Sequence, residues 1–186
     1  MQEIGWLPHP HKIDLSGDVF FFVASESIRV RRNAVYRKSN RPICLLLVED
    51  NPADVMMLEL GLNETGARYD LHVVKDGEAA LELLARRNIC TQIGSPDLIL
   101  LDLNLPKVDG HEVLRAVKTH PDLKTTPVIV LSSSRSLSDI HAAYAAGANS
   151  YIPKAASADE TFDLVRTIQH YWLDLAVLPA NPPAMN

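Results

Sequence analysis

The chain has 186 residues, 47% of them hydrophobic, with 18 basic against 23 acidic residues and a net charge of −5. That balance suits one well-buried soluble domain with sequence to spare, and it gives no reason to expect DNA or RNA as the main partner. No apolar run approaches the roughly 20 residues of a membrane span, and the FFFVA run after Val19 lacks the basic lead of a signal peptide, so a cytoplasmic protein without a membrane partner is expected.

Residues 1–41 have mixed character, no sustained period, and a basic end at Arg29, Arg31, Arg32, Arg37 and Lys38. This segment reads as an N-terminal extension, disordered or loosely docked, or as an overlong start, since no Met occurs between Met1 and Met56. From Arg41 onward five apolar runs, 43–48, 71–74, 97–101, 128–132 and 149–152, alternate with helical patterns over about 53–65, 77–88, 110–119, 136–146 and 158–177. Such alternation with short connections predicts an α/β fold of right-handed βαβ crossovers, a doubly wound parallel sheet. Asp76 and Ser157 stand where helix N-caps belong, and Gly66 and Gly147 where helices end. Pro153 cannot donate to a strand ladder, so the fifth strand is expected at an edge, which a flavodoxin-like order of 2-1-3-4-5 provides. Cys44 and Cys90 lack CxxC spacing and read as reduced packing residues. Residues 42–178 form the predicted domain and 179–186 a tail.

Four of the runs stop at a reactive polar residue: ICLLLVED at Glu49 and Asp50, PDLILLDLN at Asp102, PVIVLSSS at Ser132 and ANSYIPK at Lys154. Ligands of parallel sheets bind beyond the carboxyl ends of the strands, so three acids, a hydroxyl and an ammonium are expected at one crevice. That donor set suits phosphate and a divalent cation. Singly, each residue has an ordinary explanation: Asp50 before Asn51 and Pro52 suits a helix cap, and Ser132 suits a turn. Their arrival at four strand ends favours a shared site. His9, His11, His72, His111, His120, His141 and His170 show no metal-ligand spacing.

Residues 42 to about 178 resemble the receiver domain of two-component response regulators. The matching segments are VEDNPAD with Glu49 and Asp50, LLDLNLPKVDG with Asp102, VLSSS with Ser132, and AGANSYIPK with Tyr151 and Lys154. DNPADVMMLEL, LDLNLPKVDGHEVL, LKTTPVIVLSSS and HYWLDLAVLP are similar, more narrowly, to single-domain response regulators that partner bacterial phytochrome histidine kinases.

The resemblance implies phosphoryl transfer from a kinase phosphohistidine to Asp102, forming an acyl phosphate. Such transfer depends on positioning and charge neutralisation. Glu49 and Asp50 beside Asp102 require a compensating cation, expected to be Mg²⁺ held by these carboxylates and a main-chain carbonyl of Asn104. Lys154 is expected to pair with a phosphoryl oxygen. Ser132 would bond the new phosphoryl group and draw its loop inward, with Tyr151 moving in from an outward rotamer. The sequence departs from the family at one point: Ala155, where a cis proline is usual, follows Lys154. A non-proline cis bond costs roughly 2.5–4 kcal/mol, so a trans Lys154–Ala155 bond and slower phosphorylation are expected.

The last helical pattern carries Phe162, Leu164, Val165, Ile168, Tyr171, Trp172, Leu175 and Ala176 over more than one face. A homodimer anchored by Tyr171, Trp172 and Leu175 is expected, the alternative being packing on the N-terminal segment. Only LPANPPAMN follows, too short for a DNA-binding output module, so output by protein contact is expected. Conventional enzyme turnover is not expected beyond the protein's own phosphorylation and dephosphorylation. A haloacid-dehalogenase-type phosphohydrolase also uses a strand-end Asp nucleophile, but it wants a second Asp two residues later, where this chain has Asn104. A binding module indifferent to phosphorylation is the other alternative.

Overall fold

The computed structural model describes residues 41–64, 68–86 and 95–179. The N-terminal extension before Arg41, Gly66, Cys90 and the tail after Pro179 therefore lie outside the described residues. Five parallel strands, β1 (Ile43–Val48), β2 (Tyr69–Val74), β3 (Leu98–Asp102), β4 (Val128–Ser132) and β5 (Ser150–Pro153), stand in the order β2-β1-β3-β4-β5. They alternate with α1 (Pro52–Glu64), α2 (Gly77–Ala85), α3 (Gly110–Thr119), α4 (Leu137–Ala145) and α5 (Ala158–Ile168). The predicted order holds, and Pro153 closes the β5 edge.

Period-two alternation divides the strands between two cores. Cys44, Leu46, Val48, Ile99, Leu101, Val128 and Val130 pack with residues of α2, α3 and α4, including Leu84, Val113, Leu114 and Ala143. Leu45, Leu47, Leu98, Leu100, Ile129 and Leu131 pack with Leu58 and Leu62 of α1 and Val165 and Ile168 of α5. With both faces covered, the central strands β1, β3 and β4 read as continuous apolar runs, as a sheet buried on two sides demands. Each fully buried Leu, Ile or Val contributes about 1.5–3 kcal/mol against the conformational entropy of ordering the chain.

Local chemistry sets the boundaries. The Asp76 side chain accepts from the Ala79 N–H, and Ser157 accepts from Glu160, so both predicted N-caps are observed. Gly147, at φ +95°, follows α4 in the left-handed region that glycine adopts without steric cost. Gly110 opens α3 against the strand that ends in Asp102: a Cβ here would lie 2.3 Å from the Asp102 carbonyl oxygen. The last helix differs from its predicted single run to about 177. α5 ends at Ile168 and continues as a π-helical segment, Gln169–Leu175, before the backbone turns extended at Ala176. The wider winding turns Leu173 into the α1/α5 core and packs Trp172 against it, while Tyr171 and Leu175 remain exposed.

At the amino ends of β1 and β3, Arg41 clasps Asp97 through two hydrogen bonds of 2.6 and 2.7 Å. Asp97 also accepts from the Cys44 N–H at 2.9 Å, and its own N–H donates to the Cys44 carbonyl. Cys44 is disulfide-bonded in the structure, which corrects its reading as a reduced thiol. The isolated spacing carried no signal for this bond.

Candidate functional site

Parallel register aligns the carboxyl ends of the strands. Val48 stands opposite Leu101, Asp102 opposite Leu131, and Ser132 opposite Pro153, so the residues at or just past each strand end meet at one edge. Glu49 and Ser132 are wholly buried, Asp102 is 4% exposed, and Asp50 faces solvent. Carboxylate oxygens of Glu49, Asp50 and Asp102 all lie within 4.8 Å of one another. Asn51, rather than Asp50, turns the chain into α1, its side chain accepting from the Ala53 N–H at 3.0 Å. This leaves Asp50 to the cluster. Among the described residues no histidine belongs to a group able to hold a metal ion.

Lys154 reaches into this cluster from the end of β5. Its Nζ lies 2.6 Å from Asp102 Oδ2 and 2.7 Å from Glu49 Oε2. A third carboxylate, Asp54 in the first turn of α1, stands 2.8 Å from the same nitrogen. Burial alone would draw the Lys154 ammonium down, but the contacts with Asp102, Asp54 and Glu49 outweigh it and hold the group above the ordinary lysine range. Burial pushes the Glu49 carboxyl up, and its contact with Lys154 offsets this only in part. Four carboxylates face one ammonium, a formal charge of −3, so the site is short of positive charge. A divalent cation fits that deficit: Glu49 Oε2 is buried with an ion contact but no aligned hydrogen bond, and the donors are all hard oxygens.

The backbone holds the rest in place. The Asn104 N–H donates to Asp102 Oδ1 at 3.0 Å, fixing the carboxylate plane, and the Asn104 side chain donates to Ser133 at 3.2 Å. The Lys154 N–H donates to the Ser132 carbonyl at 2.8 Å, tying the β5 end to β4. No cis peptide bond occurs among the described residues, so the Lys154–Ala155 bond is trans, as expected. The lysine nevertheless reaches the acids.

Ser132 Oγ accepts from the Ser134 N–H, and the Ser134 hydroxyl donates to Asp139 of α4 at 2.5 Å. Tyr151 is 9% exposed and its hydroxyl donates to the Ser134 carbonyl at 2.8 Å. The ring lies inward, the position in which the expected movement ends, because the Ser134 carbonyl supplies the partner a buried phenol needs. Tyr171 and Leu175 are 55% and 45% exposed, while Trp172 packs against the core and meets the Tyr171 ring edge-on at 5.1 Å. Asp54 is the acid beside Lys154 that sequence reasoning missed. The only signal was its place in VEDNPAD, where an acid in a helix's first turn has a sufficient explanation in the helix dipole.

Comparison with known proteins places this geometry. The family description "Response regulator receiver domain" matches residues 45–180. Response regulator Rcp1 of Synechocystis sp. is 40% identical over 143 residues, which are 77% of this chain and 97% of that protein. The crystal structure of the phosphorylated cyanobacterial phytochrome response regulator RcpA superposes with a TM-score of 0.70 at 40% identity, covering 75% of this chain and 99% of the other. The Mn²⁺-bound form of Rcp1 gives the same TM-score at 39% identity, over 75% and 100% of the two chains.

Proposed function

Because the chain belongs to the response regulator receiver domain family, we propose that it accepts a phosphoryl group on Asp102 from a sensor histidine kinase, one of the phytochrome type, with Mg²⁺ as the cofactor. The observation that carries this reading is the nearly buried Asp102 carboxylate, 2.6 Å from Lys154 Nζ and within 4.8 Å of two further acids. The kinase assignment rests on similarity to RcpA, described as a cyanobacterial phytochrome response regulator, and to the bacteriophytochrome response regulator RtBRR.

In the reaction, an Asp102 oxygen attacks phosphorus in line, the O–P bond forms, and the N–P bond of the phosphohistidine breaks as the imidazole leaves. The Asn104 N–H holds the carboxylate in plane. Lys154 bonds the transferred group as a point charge, and Ser132 donates its hydroxyl to it. Glu49, Asp50, Asp102 and the Asn104 carbonyl are the residues that would hold the cation, which when bound neutralises the charge of acids and phosphoryl oxygens alike. Loss of the Ser132–Ser134 bond on phosphorylation would pass to Asp139 of α4 and to Tyr151 through the one loop that all three share.

Dimerisation through Tyr171 and Leu175, a cytoplasmic location and output by protein contact complete the reading. Residues 42–178 are its functional unit, with the N-terminal extension and tail outside it. One observation favours a second reading, a module that engages its partner regardless of phosphorylation: the Lys154–Ala155 bond is trans where the family usually has a cis proline. Incubation with acetyl phosphate and Mg²⁺, followed by intact mass and oligomeric state, tests both. A gain of one phosphoryl group that Asp102→Asn abolishes supports the receiver. No gain, with a dimer in both proteins, supports the second reading.

A further inference from the structure

Asp54 stands apart from the three acids that can hold a metal ion, yet it shares their lysine. An ammonium has three N–H donors, and Lys154 meets three carboxylates, Asp102, Glu49 and Asp54, at 2.6, 2.7 and 2.8 Å. Two of these partners are claimed when the site works. Phosphorylation occupies Asp102, and both Glu49 and Asp102 belong to the group whose charge a cation would neutralise. Asp54 alone remains to hold the ammonium through the reaction.

The surroundings give such a hold something to do. Asp54 and Lys154 line the same small cavity, of about 40 Å³, with Met57, Leu131, Ala155 and Thr161. Ala155 contributes only a methyl group there, so packing leaves room beside the lysine, and a four-carbon stem with free space can turn away from its target. Asp54 itself is fixed by α1, whose first turn is set by Asn51, and its bond to Lys154 spans 100 residues of sequence.

We propose that Asp54 is a positioning residue for phosphoryl transfer: it holds the Lys154 ammonium toward the phosphoryl site while Glu49 and Asp102 are engaged elsewhere. The inference rests on the receiver reading above. Asp54 does not touch the phosphoryl group and is not a metal ligand. Its carboxylate accepts one lysine N–H and leaves the other two for the oxygens of the transferred group.

The test uses the full chain with acetyl phosphate, a donor too small to need kinase docking. In this reaction an O–P bond forms to Asp102, the acetyl O–P bond breaks and acetate leaves. Initial rates by intact mass are measured against Mg²⁺ concentration for the wild type, Asp54→Ala, Asp54→Asn and Asp102→Asn. The expected result is a maximal rate about tenfold lower in Asp54→Ala, the scale of a displaced catalytic group, with half-saturating Mg²⁺ within about twofold of wild type. Asn keeps an acceptor at the same reach, so Asp54→Asn is expected to restore the rate to within about threefold. A wild-type rate in Asp54→Ala would overturn the proposal, as would failure of Asp54→Asn to restore it. A shift in Mg²⁺ half-saturation at unchanged maximal rate would make Asp54 a metal residue and overturn it too. Failure of the wild type to take up a phosphoryl group would instead remove the receiver reading.

Discussion

Replacing Asp50 by Asn should stabilise the cation-free protein and abolish its response to Mg²⁺, two effects of opposite sign from one exposed side chain. Two carboxylates 4.8 Å apart repel by about 3.5 kcal/mol at an effective dielectric constant of about 20. The three acids make three such pairs, and Asp50→Asn removes two of them. Asp50 faces solvent, so water and salt reduce the gain to about 1–2 kcal/mol, a rise in Tm of about 2–8 °C for a chain of this size. In the wild type, Mg²⁺ at a hundred times its Kd adds about 2.7 kcal/mol, or about 5–11 °C, because it binds only the folded cluster. Thermal unfolding with and without Mg²⁺ reads both effects, with Ca²⁺-free, EDTA-treated protein as the reference. A variant that melts below the wild type without Mg²⁺, or one that keeps the full Mg²⁺ shift, would refute the charge-cluster argument.

Three further outcomes are expected. The Mg²⁺-induced rise in Tm should shrink on acidification at pH values above 4.5, because the Glu49 carboxyl is raised from that value and takes a proton early; the same shift means that cation-free protein gains stability as pH falls through the raised value toward 4.5. Melting scans between pH 4 and 8 check both signs. Lys154, raised from 10.5, stays charged below that pH, so phosphorylation rates between pH 7 and 9 should show no lysine titration. Gly110→Ala should cost about 1–3 kcal/mol in urea unfolding and slow phosphorylation, since the new Cβ meets the backbone of Asp102 itself at 2.3 Å.

The sheet order, both tested N-caps and the four polar strand ends could all be read from the sequence, because each depends on local patterning: alternation of apolar runs, a cap two or three residues from its target, a strand's last residue. Asp54 could not, since its partner lies 100 residues away and its position in a helix's first turn already accounts for an acid. The same holds for Asp97, bound to Arg41 across 56 residues. The rotamer of Tyr151 was illegible for another reason. Sequence places a side chain on a strand face but does not give its rotamer, and the carbonyl that captures the hydroxyl belongs to a loop with no periodic pattern. The change to π winding after Ile168 likewise leaves the apolar spacing almost unaltered while re-aiming Trp172 and Leu173 inward.

The Arg41–Asp97 clasp gives the sheet two ends of unlike character. Where the strands begin, one cation and one anion are matched bidentately and the buried Cys44 amide is satisfied; where they end, negative charge is left in excess. Substitutions at the reactive end can therefore change chemistry without unpicking the fold, whereas Asp97→Ala should cost about 2–4 kcal/mol by removing the buried acceptor of the Cys44 amide and the bidentate anion of the Arg41 guanidinium, though it lies far from any reacting atom. For anyone fusing a reporter ahead of this domain, the junction belongs upstream of Arg41: a graft that begins at Pro42 would keep every group of the site and loosen the hinge-pin on which the sheet is hung.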